Sequence, residues 1–398
     1  MMNMGAERQD IRLAIIVTVF VYGWGLFYFA TLWTLAPDGL SATTGSTPYW
    51  DFSNLWSAGR LILDGHVDWL FEPDHYRAWL RLTFSEALPN QEWSYPPNLF
   101  FLAVPLGALP IMPAYLLWTF GTILCLHFAI RPLALPLLAH WLAITGPAVW
   151  MNAAFGQNGA LTAALLLGGL LNLERRPILA GVLIGFMAIK PHLALLVPFC
   201  VLASRNWKAF LSAALTVVGL NLATGLVFGF DVWRNFFGVT APLMSAILEA
   251  PFPQSYHGNA ATAFIMGRWL GFDLAGAYAL QAAFALAAII VCVVMWRPAS
   301  TMPVAKRAVL TAVLAIVSTP YGYSYDMVPL GVAVAWLAVH DKGMNRLGLV
   351  PIWIAPLFIH ALIIKGGVAI GVLFPATLAI WALWREWSGK MTAPRSEP

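Results

Sequence analysis

Residues 49–69 read YWDFSNLWSAGRLILDGHVDW and follow a run, 11–36, that is almost unbroken in its apolarity. Phe52, Leu55, Trp56, Gly59, Ile62 and Leu63 recur at helical spacing, with Ser53, Ser57, Arg60 and Asp64 on the other face. The spacing predicts an amphipathic helix over 52–64, lying in a membrane interface. A second is predicted over 75–85, where Tyr76, Trp79, Leu80, Thr83 and Phe84 oppose Arg77, Arg81 and Ser85. The segment 37–95 is therefore expected to be a lid of short helices. It holds eight acids (Asp38, Asp51, Asp64, Asp68, Glu72, Asp74, Glu86, Glu92) against Arg60, Arg77 and Arg81.

The whole chain supports that setting. Of 398 residues, 60% are hydrophobic and 10% charged, against about 25% charged in soluble domains. This composition specifies an all-α polytopic membrane protein, since the apolar runs are continuous and do not alternate as barrel strands would. Expected spans are 11–36, 111–131, 132–150, 158–173, 177–189, 191–204, 208–229, 272–296, 305–320, 326–340, 346–364 and 367–387, about twelve in one membrane domain over 1–390. A polar tail, 391–398, follows. The run 98–110 reads as a further span or a re-entrant hairpin and is left uncounted because a crossing there breaks the charge parity.

That parity rests on Arg8, Arg12, Arg131, Arg175, Arg176, Arg205, Lys208, Lys306, Arg307, Lys342 and Arg346 all being cytoplasmic. It implies both termini inside a plasma membrane, with loops 37–95 and 230–271 outside. It also explains the net charge of +4 without a nucleic-acid partner. Run 11–36 reads as an uncleaved signal anchor. Cys125, Cys200 and Cys292 lie in apolar runs without metal spacing and are expected to be small core residues.

Several polar residues fall at outer helix ends. Asp51 suits a helix N-cap, the simpler reading from spacing alone, and suits equally a general base where a membrane-embedded substrate meets water. Tyr95 lies in EWSYPPNLF (92–100), where two prolines begin a helix and Trp and Tyr suit an interfacial belt. Gln157 and Asn158 could bond sugar hydroxyls, cap a helix or glue helices together. Lys190, beside Pro191, is either a snorkelling lysine or a cation for a lipid phosphate, with His192 nearby. His257 and Arg268 lie in the second outer loop, where Arg268 also suits an interface anchor. Tyr321, Tyr323, Tyr325 and Asp326 suit a sugar pocket or an aromatic belt. Asp-x-Asp is absent, as are the P-loop, HExxH and GxSxG patterns, so no metal, nucleotide or other cofactor is expected.

The order of motifs is more specific than any one of them. An acid after the first span, then YPP, GQN, AGVLIGFMAIKP, RNWK and TPYGYSYD, resembles glycosyltransferase family 87 over about Ile11 to Asp341. The resemblance implies a GT-C-type fold and transfer of a hexose or pentose from a polyprenyl-phosphate sugar to a lipid or glycan acceptor. It implies Asp51 as catalytic base and matches Lys190 to the basic residue of the Lys-Pro motif; Lys190 is then expected to bind the donor phosphate, with Arg268, His257 and His192 in support by position. Gln157, in the Gly-Gln-Asn motif, with Asn158, Tyr95, Tyr323, Tyr325 and Asp326, is expected to hold sugar or acceptor. Some mannosyltransferases of that family have a histidine near the last outer motif, and here Tyr323–Asp326 has none. Mannose is therefore not implied. The rival reading, a secondary transporter or lipid flippase, would want paired inverted repeats, and none is apparent.

Overall fold

A computed structural model describes residues 2–341 and 343–392. Lys342, the side chain of Arg8 and the tail from 393 onward lie outside the described residues.

All the regular structure among the described residues is helical. The first apolar run forms α1 (Met2–Leu32), followed by α2 (Trp50–Leu63), α3 (Pro73–Thr83) and α4 (Phe100–Gly107). Then come α5 (Ile111–Ala129), α6 (Leu137–Ile144), α7 (Pro147–Phe155), α8 (Gly159–Asn172) and α9 (Pro177–Gly185). The middle of the chain holds α10 (Val197–Ala203), α11 (Trp207–Phe228), α12 (Asp231–Asn235), α13 (Ala241–Glu249) and α14 (Ala263–Trp269). The last third holds α15 (Leu274–Trp296), α16 (Val304–Val317), α17 (Val328–His340), α18 (Arg346–Ile354), α19 (Ile359–Ile364) and α20 (Leu373–Thr392).

Four described helices are long and apolar enough to cross a membrane: those at 15–32, 111–133, 207–228 and 274–296. The α11 helix shows why they need lipid. Leu211, Leu215, Val218, Leu222 and Leu226 form a stripe at i, i+3 and i, i+4 spacing, each more than half exposed. An exposed apolar surface of that extent, on a helix of 22 residues, suits hydrocarbon rather than water. The chain is a helical membrane protein.

The other expected spans are shorter or broken. The run 132–150 divides into α6 and α7 at Thr145-Gly146-Pro147, because proline is best tolerated in a first turn. Pro356 similarly opens a 3₁₀ turn that separates α18 from α19 within 346–364, while Pro351 lies inside α18. The Lys190-Pro191 break leaves α9 and α10 joined by two 3₁₀ turns. Cys200 and Cys292 are buried as expected, but Cys125 is exposed on the outward side of α5.

The predicted helix over 52–64 is met by α2, but its environment differs from expectation. Ser53 and Ser57 do not face water; both are fully buried. The uncounted run 98–110 explains this, because it forms α4 and packs along α2. The two backbones touch: a methyl group on Gly59 would overlap the Ala103 carbonyl, and one on Gly107 would lie 2.5 Å from the Arg60 nitrogen. Only glycine permits that approach. Gly59→Leu should therefore force α2 and α4 apart and cost about 3 kcal/mol or more. Detergent-solubilised thermal unfolding measures it, with Gly23→Leu, where the space around Gly23 is open, as the silent control.

The rest of the lid is fastened by polar contacts. Arg77 donates from Nε to Glu92 Oε1 at 2.7 Å, and Gln91 Nε2 donates to the Trp50 carbonyl at 2.6 Å. Asn54 Nδ2 reaches the Glu92 carbonyl at 2.8 Å. These bonds hold the extended segment before α4 against α2 and α3, and so fix where the first turn of α2 stands.

Candidate active site

The first turn of α2 presents Asp51. The N-cap position falls to Tyr49 and no side chain caps the helix, so the N-cap reading of Asp51 is corrected by a small offset in the start of the helix. Its carboxylate is free for other partners, and it meets the Gln157 side chain.

Gln157 is held by the turn that ends α7. Gly156 has φ +66°, the left-handed region that glycine occupies readily. A side chain there would also strike Cβ of Phe52, the neighbour of Asp51. Trp118 of α5 donates to the Gly156 carbonyl at 3.0 Å and the Gln157 carbonyl at 3.2 Å. Tyr95 Oη donates to Gln157 Oε1 at 3.1 Å, and the Asn158 backbone N–H donates to the same oxygen at 3.3 Å. With Oε1 occupied by donors, the amide nitrogen is the group that faces Asp51.

Lys190 enters from the break between α9 and the turn at Pro191. It is 5% exposed; its Nζ donates to Asp326 Oδ1 at 2.6 Å and to Asn158 Oδ1 at 3.1 Å. The Tyr325 ring lies under the ammonium at 5.4 Å. Asp326 is 2% exposed and its second oxygen accepts from the Tyr323 backbone N–H at 3.3 Å. Tyr323 and Tyr325 stack at 5.3 Å. The backbone of 260–261 pairs with 322–323, pinning this loop from the α14 side.

Charge couples the two halves. Burial raises the Asp51 carboxyl to about 6, against opposing effects from the Gln157 hydrogen bond and the Lys190 charge, while the Asp326 charge adds to the rise. Asp326 is likewise raised by burial and drawn back by Lys190. Asp51 still keeps part of its surface open.

Asp51, Tyr95, Gln157, Asn158, Lys190, Tyr323, Tyr325 and Asp326 thus form one cluster. The remaining sequence candidates lie beyond it. His192 stands 5.8 Å from the Tyr321 ring, with Nε2 buried and unpartnered. His257 spends both ring nitrogens on backbone, Nδ1 accepting from the Gln254 N–H at 3.0 Å and Nε2 meeting the Leu248 carbonyl at 3.2 Å. It is therefore engaged as a structural brace. Arg268 donates to the Phe272 carbonyl at 3.3 Å, with its Nε buried and unpartnered. Sequence reasoning missed Tyr256, whose hydroxyl is also buried without a partner. It stands between His257, at 4.4 Å ring to ring, and the charge environment of Tyr323. The available signal was its position immediately before His257.

The fold and the site thus define a helical membrane protein with a buried cluster of acid, amide, lysine and tyrosine side chains. Residues 93–320 match glycosyltransferase family 87, and the chain belongs to that family. The match is shorter than the stretch read from the motifs. It takes in Tyr95, Gln157, Asn158, Lys190, His192, His257 and Arg268, while Asp51 and Tyr323–Asp326 lie outside it. No curated protein and no solved structure matches the chain.

Proposed function

We propose that this glycosyltransferase inverts the anomeric centre of a sugar carried on polyprenyl phosphate and delivers it to a hydroxyl of a lipid or glycan acceptor at the outer face of the membrane. The observation that carries the reading is the shared cluster: an acid with a raised pKa and a buried lysine, joined through Gln157 and Asn158.

Asp51 accepts the proton of the acceptor hydroxyl as that oxygen forms its bond to the anomeric carbon. The bond from that carbon to the phosphate oxygen breaks on the opposite face, and negative charge collects on the departing polyprenyl phosphate. A base near pKa 6 is matched to this task at neutral pH. Lys190 has three N–H donors, of which Asp326 and Asn158 engage two. The third serves the phosphate, where a fixed cation in a dry site is worth most as charge develops. Tyr323 and Tyr325 offer faces and hydroxyls to the sugar, and Tyr95 and Gln157 orient Asp51. The absence of Asp-x-Asp accords with a donor activated by lipid phosphate.

The outer-face orientation is supported by charge. Arg175, Arg176, Arg307 and Lys306 all lie at the ends of α8 and α16 remote from the cluster, as cytoplasmic ends should.

Purified protein in vesicles, given radiolabelled polyprenyl-phosphate sugars and membrane lipid, should move label onto an extractable acceptor, with nucleotide sugars inert. Label crossing the vesicle without a new glycosidic bond would identify a transporter and overturn the reading.

A further inference from the structure

The end of the bundle opposite Asp51 contains a cavity of about 130 Å³. Two helices run between the two ends: α8 from Asn158 to the turn at Glu174, and α16 from Arg307 toward the Asp326 loop. The walls include Glu174, Ser204, Asn206, Trp296, Arg297 and Arg307. Asn206 fixes the rim, donating to the Leu173 carbonyl at 2.5 Å and capping α11 through the Ala209 N–H.

Arg307 is the unusual member. It is 8% exposed and lies over the Trp296 ring at 4.8 Å. Its Nη2 donates to Glu174 Oε1 at 2.6 Å, while its buried Nε donates to nothing. A buried guanidinium is costly unless its charge and donors are both matched. Glu174 matches the charge from a poor position, since its side chain is 56% exposed and free to swing into solvent. The cavity is far larger than the roughly 10–15 Å³ one water requires on this measure. It has room for a tetrahedral oxyanion, with Arg297 as a second cation on its wall.

We propose that this cavity binds a phosphate oxyanion between Arg307 and Arg297, on the floor made by Trp296, and that Glu174 occupies Arg307 only until the anion arrives. The chemistry is shared by the phosphodiester of an anionic phospholipid and by inorganic phosphate. A basic pocket between membrane helices at headgroup level suits the former. The site is separate from the sugar-transfer cluster, so the two readings stand or fall independently.

The test is thermal stabilisation of delipidated protein in neutral detergent, titrated in parallel with short-chain phosphatidylglycerol and inorganic phosphate. Wild type should give a saturable shift with the lipid, and Arg307→Gln should give none. Arg297→Gln should weaken binding about tenfold, the worth of one charge-assisted bond, and Glu174→Gln should tighten it by a similar factor. A response to phosphate alone, with the same variant pattern, assigns the site to the free ion. Should Arg307→Gln fail to fold, the opposite shifts in Arg297→Gln and Glu174→Gln still decide. The proposal is overturned if neither ligand gives a saturable shift, or if those two variants bind like wild type.

Discussion

Asp51→Asn should lose about 10²–10⁴ in transfer rate, the usual worth of a general base, while unfolding no more easily than wild type. The two halves of that expectation come from one fact. Burial raises the Asp51 carboxyl to about 6, and Gln157 and Lys190 pull it down only in part. Its folded value therefore exceeds the roughly 3.9 of an unfolded aspartate. The stability this group contributes is complete below pH 4 and is lost as pH rises through about 6, so at neutral pH the ionised carboxylate works against the fold. Asparagine keeps the shape and removes the charge. The gain is up to about 3 kcal/mol from the size of the shift, and nearer 1–2 because part of the group remains in water. In wild type, kcat/KM should fall with a one-proton slope below pH 6, the value to which the group is raised. Near-normal turnover by Asp51→Asn, or loss of activity only together with loss of folding, would sink the assignment. An acid retained at a cost in stability is what a working base looks like.

Much of the scaffold could be read along the chain because lipid imposes a strong local signal. Runs 208–229 and 272–296 became α11 and α15 almost residue for residue, and 52–64 became α2. What periodicity could not supply was the number of covered faces. Ser53 and Ser57 fall on a polar face by spacing, yet α4 and the segment before it lie over that face, and the chain satisfies Ser53 internally through the Trp50 carbonyl at 2.7 Å. The Asp51 cap failed for a related reason. A cap and a first-turn residue differ by one or two positions, finer than periodicity resolves. The site shows the same division. Motif order brought out Asp51, Gln157, Lys190 and Asp326 as separate candidates, but the pairing of Lys190 with Asp326 spans 136 positions, and nothing local encodes it. Lys190 reads from the sequence as a snorkelling lysine or a cation for a lipid phosphate, and its partner Asp326 is visible only in the fold.

That pairing makes the second large effect. Lys190→Met should destabilise the protein by about 3–5 kcal/mol, because removing one partner leaves Asp326 charged and buried. The loss should depend on pH in a definite direction. Without the lysine, burial of Asp326 is opposed by the Tyr323 backbone hydrogen bond but no longer by a cation, so the carboxyl, already raised, rises further. It then holds its proton to higher pH, so the variant should be closest to wild type in acid and worst above neutrality. Asp326→Leu should be comparably damaging through the stranded ammonium. The double variant Lys190→Met with Asp326→Leu removes both charges, and a well-packed apolar pair is often as stable as the ion pair it replaces. Thermal unfolding of the four proteins gives the coupling energy directly, and transfer assays on the same four separate structure from chemistry. If the third N–H of Lys190 meets the leaving phosphate, the double variant should fold like wild type and still fail to transfer. Recovery of transfer with stability would reduce the pair to packing and pass the phosphate to Arg268, whose buried Nε has no partner.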